Sequence, residues 1–115
     1  MENCAVLVVD DDSSLHEVVR LLLRKRCRKV DSASDGARGV EMLQSGQYDV
    51  VILDLMLPRL NGFQVIDRLK NLPKPPKLIV LSAISRHFDD RFPEDAVILQ
   101  KPFDITRVDE VVSSL

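Results

Sequence analysis

The stretch that decides the fold is YDVVILDLMLPRLNG, residues 48–62. It holds four apolar residues in succession, Val50 to Leu53, and this run stops at the carboxylate of Asp54. An unbroken apolar run is typical of a strand buried on both faces, as in a parallel sheet. Pro58 and the Asn61-Gly62 pair then favour a turn into a helix. Asp54 is therefore predicted to lie where a central strand ends, at the edge where open parallel sheets bind ligands.

Four other segments have strand character. Apolar runs occur at residues 5–9, 77–81 and 96–99, and a weaker one at residues 29–33 is expected at an edge of the sheet. Segments with helical periodicity alternate with these strands. The first of them has the spacing of a capping box at residues 14–17 and an apolar face made of Leu15, Val18, Val19, Leu22 and Leu23.

This alternation predicts an α/β fold: a doubly wound, five-stranded parallel sheet with helices on both faces. Strand order 2-1-3-4-5 fits best, because it places the two strands that end in aspartate beside the switch point of the sheet. We expect one domain over residues 1–115. The sequence leaves open whether it stands alone or is part of a longer protein.

Composition excludes several classes of protein. Hydrophobic residues make up 45% and charged residues 30% of the 115 residues, with a formal net charge of −2, so nucleic acid is not expected as a direct partner. The apolar run at residues 4–9 is too short for a membrane span or a signal peptide. Cys4 and Cys27 have neither metal-ligand spacing nor a disulfide framework, and Cys27 is predicted to be a buried thiol at a helix end. A reducing, cytoplasmic compartment is therefore expected.

Polar residues follow three of the predicted buried strands besides the one that ends at Asp54. Asp10 and Asp11 follow the first strand, Ser82 the fourth and Lys101 the fifth. Because parallel strands end at one edge of a sheet, these side chains are predicted to share one crevice with Asp54.

Three crowded carboxylates repel one another unless a hard divalent cation such as Mg²⁺ binds between them. Lys101 adds nothing to a site for a metal alone, but its ammonium and the Ser82 hydroxyl can bind phosphoryl oxygens. Metal, ammonium and hydroxyl together stabilise a phosphoryl group in transfer. Asp54 is the candidate nucleophile, which would form an aspartyl phosphate, and Asp11, with Asp10 behind it, is the candidate metal ligand.

The residues resemble the receiver domains of two-component response regulators, of the chemotaxis-regulator type, over nearly the whole chain. Matching motifs occur in the family's order: the acidic cluster at residues 6–12, the phosphoacceptor strand and turn at residues 50–62, the hydroxyl motif at residues 80–83 and the lysine-proline motif at residues 101–103.

The resemblance implies that Asp54 accepts a phosphoryl group from a sensor histidine kinase or a phosphotransfer protein. Mg²⁺ or Mn²⁺ would be bound by Asp11, Asp54, the backbone carbonyl of Met56 and Asp10, the last directly or through water. Ser82 and Lys101 would bind the phosphoryl oxygens. An output domain or a dimer partner would read the resulting change, and the Lys101–Pro102 bond is a candidate for the cis form.

The sequence departs from the family pattern between Ser82 and Lys101, which are 19 residues apart, somewhat short for the family. Because Pro93 cannot lie inside a longer helix, a short or irregular fourth helix is expected at residues 84–91. Ile98 stands where the family commonly has a switching aromatic residue, so we expect a non-standard output from that face. Met56 and Ile84 occupy positions that influence hydrolysis in the family, and both are apolar, so we expect slow self-dephosphorylation without further enzymatic activity.

Two alternatives accompany this interpretation. A pseudo-receiver would keep the fold as an interaction module without being phosphorylated. A haloacid-dehalogenase-like phosphatase also uses an aspartyl phosphate, but it requires a second aspartate two residues after the nucleophile, where this chain has Met56.

Overall fold

The computed structural model of the chain describes residues 4–57, 61–82, 92–101 and 105–114. The strands are β1 (Cys4–Val9), β2 (Cys27–Ala33), β3 (Val50–Asp54), β4 (Lys77–Ser82) and β5 (Val97–Gln100). The helices are α1 (Ser13–Leu23), α2 (Gly36–Ser45), α3 (Gly62–Lys70) and α4 (Thr106–Ser113). None of these described helices combines the length and the apolar composition needed to cross a bilayer.

The strands form one parallel sheet in the order β2-β1-β3-β4-β5, as predicted. The helix expected at residues 84–91 and the Lys101–Pro102 bond lie outside the described residues, so both stay predictions.

Successive side chains of the central strands point to opposite faces of the sheet, and helices cover both faces. One core cluster joins Val6, Val8 and Ile52 to residues of α1 and α4. The other joins Leu7, Val9 and Leu53 to residues of α2 and α3. This arrangement explains why β1 and β3 are continuous apolar runs: neither face of these strands meets water.

Three predictions about local structure are wrong. The N-cap of α1 is Asp12 rather than Ser14: its side chain accepts a hydrogen bond from the Ser14 N–H at 2.9 Å. Val18, predicted on the apolar face of α1, is 45% exposed. The buried residues Val19 and Leu23 face the sheet, and Val18 lies about 100° around the helix from Val19. Cys27 begins β2 rather than ending a helix, and it is disulfide-bonded to Cys4.

The turn after β3 depends on the absence of a side chain at Gly62. A Cβ atom there would lie 2.6 Å from the Cα of Leu55, closer than any real contact. The Gly62 N–H also donates to the Leu55 carbonyl at 3.1 Å. Asn61 caps α3 in a capping box with Gln64, with reciprocal hydrogen bonds of 3.0 and 2.9 Å. The chain therefore returns tightly to the end of β3 and fixes the residues that follow Asp54.

Candidate functional site

Three carboxylates meet at the carboxyl edge of the sheet, where the sequence places them. Asp10 directly follows β1, and Asp54 ends the neighbouring β3. Asp10, Asp11 and Asp54 each offer an oxygen atom, and these atoms lie within 4.8 Å of one another. Asp10 is held there by its backbone, whose N–H donates to the Ala33 carbonyl of β2 at 3.1 Å. The predicted convergence of the strand ends is confirmed for these three residues.

Asp10 carries a buried oxygen without a hydrogen-bond partner among the described residues. It is fully buried, and its Oδ1 accepts a hydrogen bond from the Asp12 N–H at 2.8 Å. Its Oδ2 is buried without a hydrogen-bond partner among the described residues, and the closest cation, Lys101 Nζ, lies 3.6 Å away. Burial raises the pKa of Asp10 more than the Asp12 hydrogen bond lowers it, and the negative charge of Asp54 raises it further.

Asp54 uses its two oxygen atoms differently. Oδ1 accepts a hydrogen bond from the Met56 N–H at 3.0 Å, and Oδ2 accepts one from Lys101 Nζ at 3.1 Å. The residue is only 5% exposed. These contacts orient the carboxylate, with one oxygen toward the turn and the other toward the ammonium.

Lys101 lies directly after β5, and its backbone N–H donates to the Ser82 carbonyl at 2.7 Å. Burial alone would lower the pKa of Lys101, but the hydrogen bond to Asp54 and the charges of Asp10 and Asp54 outweigh it and raise that pKa. Lys101 is therefore a charged ammonium at neutral pH, shared between two carboxylates.

Ser82 and Met56 also lie at this edge. Ser82 is the last residue of β4, is 7% exposed and stands one position beyond Leu81, the register partner of Asp54. The Met56 side chain projects into solvent, with 72% of the residue exposed. The role of its carbonyl as a metal ligand and that of the Ser82 hydroxyl as a phosphoryl ligand stay predictions.

The acidic cluster has the properties of a site for a hard divalent cation. It offers only oxygen donors, one ammonium stands against three carboxylates, and the buried Asp10 Oδ2 is without a hydrogen-bond partner in the described part of the chain. Asp11 is exposed, so the cluster opens to solvent on that side. Mg²⁺ favours a small number of carboxylates together with water and phosphate oxygens, and this donor set fits it.

The sequence predicted the turn at Asn61-Gly62, but two details of the site were missed: the capping role of Asp12 and the close backbone approach at Gly62. Asp12 caps α1, and its backbone N–H orients Asp10. Gly62 allows the close return of the chain to Leu55. Signals for both exist: an aspartate just before an amphipathic helix is a frequent N-cap, and Asn-Gly often marks a tight turn.

Comparison with known proteins places the chain in a family. The sequence profile described as the response regulator receiver domain matches residues 6–113. Transcriptional regulatory protein DltR of Streptococcus agalactiae is 38% identical over 84 residues, which cover 73% of this chain and 38% of that protein. The chain thus corresponds to well under half the length of this relative.

Solved structures agree with the sequence profile. The receiver domain of the Francisella response regulator 1452 has a TM-score of 0.85 and 25% identity, covering 97% of this chain and 95% of that one. Response regulator protein TrrA of Thermotoga maritima, solved in complex with Mg²⁺-BeF, has a TM-score of 0.78 and 28% identity, covering 96% and 97%. The chain belongs to the response regulator receiver domain family.

Proposed function

We propose that this receiver domain is a phosphoacceptor switch in which Asp54 takes a phosphoryl group from a sensor histidine kinase or a phosphotransfer protein. The observation that carries this proposal is the position of the Lys101 ammonium, 3.1 Å from Asp54 Oδ2 and 3.6 Å from Asp10 Oδ2. The ammonium orients the Asp54 carboxylate through a hydrogen bond to Oδ2. It is also within reach of a phosphoryl oxygen attached to that carboxylate.

In the transfer, a carboxylate oxygen of Asp54 attacks the phosphorus of a phosphohistidine. The new P–O bond forms as the P–N bond breaks, and the histidine leaves with the electron pair of that bond. Lys101 and Ser82 stabilise the charge on the phosphoryl oxygens, and the Met56 N–H holds the carboxylate in position.

Asp11, Asp54, the Met56 carbonyl and Asp10, directly or through water, are the residues that would hold Mg²⁺ or Mn²⁺. When bound, the ion supplies positive charge that offsets the carboxylates and the incoming phosphoryl group. Two observations support this assignment: Asp10 Oδ2 is buried without a hydrogen-bond partner among the residues that the structure describes, and Asp11 is exposed.

The phosphoryl group adds a charge near −2 and strong hydrogen-bond acceptors beside β3 and β4, and a change of conformation there would be read by an output domain or a dimer partner. Ile98 packs against the core cluster under α2 and α3. With an aliphatic residue here, we propose that the output does not use an aromatic flip. We place the protein in the cytoplasm, where the kinases of two-component systems act.

Incubation with acetyl phosphate and Mg²⁺, followed by intact mass measurement, tests the proposed function. We expect a gain of about 80 Da, one phosphoryl group, in the wild type and none in Asp54→Asn. A folded wild type with no gain, under conditions where a known receiver gains this mass, would support the pseudo-receiver alternative instead.

A further inference from the structure

Cys4 and Cys27 form a covalent link at the edge of the sheet opposite to Asp54. Each is the first residue of its strand, and β1 and β2 are neighbours in the sheet. Their Cα atoms lie 4.6 Å apart, within the range that a disulfide spans, and their sulfur atoms are bonded. Both residues are buried, at 0% and 6% exposure. The bond connects two parts of the chain separated by 23 residues.

A local irregularity of the sheet brings the two cysteines opposite one another. Cys4 pairs with Cys27, but the next residue, Ala5, pairs with Lys29, so β2 carries one extra residue at this point. Such a bulge bends and twists its strand and re-aims the neighbouring side chains. A β2 in regular register would place Arg28 rather than Cys27 opposite Cys4.

The reduced pair also fits its surroundings. Cys4 Sγ lies 3.8 Å from the carbonyl oxygen of Arg26, so a thiol there can donate a weak hydrogen bond to it. Both cysteines belong to the core cluster that contains Val19 and Leu23, which suits the weakly polar thiol as well as the disulfide. A reduced Cys4 thiol therefore has an acceptor within reach, and the apolar surroundings of the pair tolerate thiols as well as a disulfide.

We propose that Cys4 and Cys27 are a reversible thiol–disulfide site, oxidised by a low-molecular-weight disulfide such as glutathione disulfide. One cysteine thiolate attacks the reagent, forming a mixed disulfide and releasing one glutathione thiolate. The second cysteine thiolate then attacks the protein sulfur of that mixed disulfide and releases the second glutathione. Two protein thiols and one glutathione disulfide thus yield one protein disulfide and two glutathiones. In a reducing compartment the pair rests as thiols.

The position of Cys4 and Cys27 determines how an oxidant reaches their sulfur atoms and which part of the chain the disulfide restrains. Both cysteines are strand-terminal residues, where local opening exposes a buried sulfur more readily than it would in mid-strand. The closed loop contains all of α1 together with Asp10 and Asp11. Next to Cys27, Arg26 forms a 2.8 Å ion pair with Asp109 of α4. Oxidation therefore restrains the segment that carries the acidic cluster and the anchor of α4.

The experiment uses the wild-type chain equilibrated in glutathione buffers from fully reduced to mainly oxidised. Acid quenching, alkylation under denaturing conditions and intact mass measurement then count the free thiols. We expect two alkyl groups in reduced glutathione and none in excess glutathione disulfide, with the protein monomeric and both forms interconverting. The oxidised form should melt at least about 5 °C above the reduced form, because the cross-link restricts the unfolded chain.

Comparing two redox states of one sequence avoids dependence on a variant that fails to fold. The proposal is overturned if both thiols are alkylated at every ratio, if none is alkylated even in reduced glutathione, or if mixed or intermolecular disulfides predominate. Equal melting temperatures would overturn it as well. Cys27→Ser should keep phosphoryl uptake, and Asp54→Asn should keep the redox titration, so failure of this proposal is separable from failure of the proposed function.

Discussion

The amino and carboxyl edges of the parallel sheet differ in how completely their aspartate side chains are paired. At the amino edge, Asp49 has hydrogen bonds at three positions: its Oδ2 accepts from the Ala5 N–H at 2.7 Å, its N–H donates to the Ala5 carbonyl, and its carbonyl accepts from the Lys77 N–H. At the carboxyl edge, Asp10 and Asp54 share one ammonium, and Asp10 Oδ2 has no hydrogen-bond partner among residues the structure describes. The amino edge thus joins neighbouring strands through hydrogen bonds, whereas the carboxyl edge leaves carboxylate charge only partly paired.

Loss of the ammonium shared by Asp10 and Asp54 is expected to have the largest effect on function. Lys101→Ala is expected to slow phosphoryl uptake by about 100-fold, because an ammonium aimed at the developing phosphoryl charge is lost. The measurement is the rate of mass gain with acetyl phosphate and Mg²⁺. Lys77→Ala, a lysine of the amino edge, is the matched control and should stay within about twofold of the wild type. Equal slowing in both variants would contradict the assignment of the two edges.

Removing the Asp49 carboxylate at the amino edge should lower stability without changing phosphoryl uptake. Asp49→Ala is expected to lower the free energy of unfolding by about 2 kcal/mol, because the buried Ala5 N–H loses its carboxylate partner. Urea denaturation measures this change, and phosphoryl uptake of the folded variant serves as its control. Unchanged stability would show that this edge does not depend on the Asp49 carboxylate.

The corresponding change at the carboxyl edge should have the opposite sign. Asp10→Asn is expected to raise the metal-free free energy of unfolding by about 1 kcal/mol, since it removes a buried, poorly paired charge. Because the folded pKa of Asp10 is raised above 3.8, its ionisation costs stability at neutral pH, and this cost disappears as the pH falls through the raised pKa.

Urea denaturation at neutral pH, with and without Mg²⁺, checks this prediction. Mg²⁺ should stabilise the wild type. The apparent affinity for Mg²⁺, derived from this stabilisation, should be at least about tenfold lower in Asp10→Asn. A variant that is less stable than the wild type without metal would show that the Asp10 charge is adequately paired.

The smallest expected effect concerns the exposed side chain beside Asp54. Met56→Asn should leave stability within about 0.5 kcal/mol, because the Met56 side chain projects into solvent. It should also speed the decay of the phosphorylated form severalfold, because an amide can hydrogen-bond an attacking water and a thioether side chain cannot do so well. Decay is followed by intact mass after removal of the phosphodonor. An unchanged rate would contradict the hypothesis of slow self-dephosphorylation.

Much of the carboxyl edge could be predicted because it follows from local pattern. Each buried strand is a short apolar run, and the residue after it falls at the shared edge whatever the loops do. Asp10, Asp54 and Lys101 therefore converge in the structure as the sequence indicates. The strand order was predicted separately, by placing the two strands that end in aspartate beside the switch point of the sheet.

The features that escaped prediction depend on long-range register or on helix rotation. The Cys4–Cys27 pair requires a one-residue shift between β1 and β2, which no local spacing reveals. The exposure of Val18 depends on which apolar line of α1 faces the sheet. Likewise, the hydrogen bond from the Ala5 N–H to the Asp49 carboxylate connects residues 44 positions apart in the sequence. These features depend on tertiary packing and strand register, which cannot be predicted from residue propensity or hydrophobic periodicity.

We expect Asp54, rather than its acidic neighbours Asp10 and Asp11, to receive the phosphoryl group. Borohydride reduction of the protein treated with acetyl phosphate and Mg²⁺ converts an aspartyl phosphate into homoserine, which peptide mass mapping locates. We expect homoserine at position 54, dependent on Mg²⁺ and absent without the phosphodonor. Homoserine at position 10 or 11, or at no position in the folded protein, would contradict it.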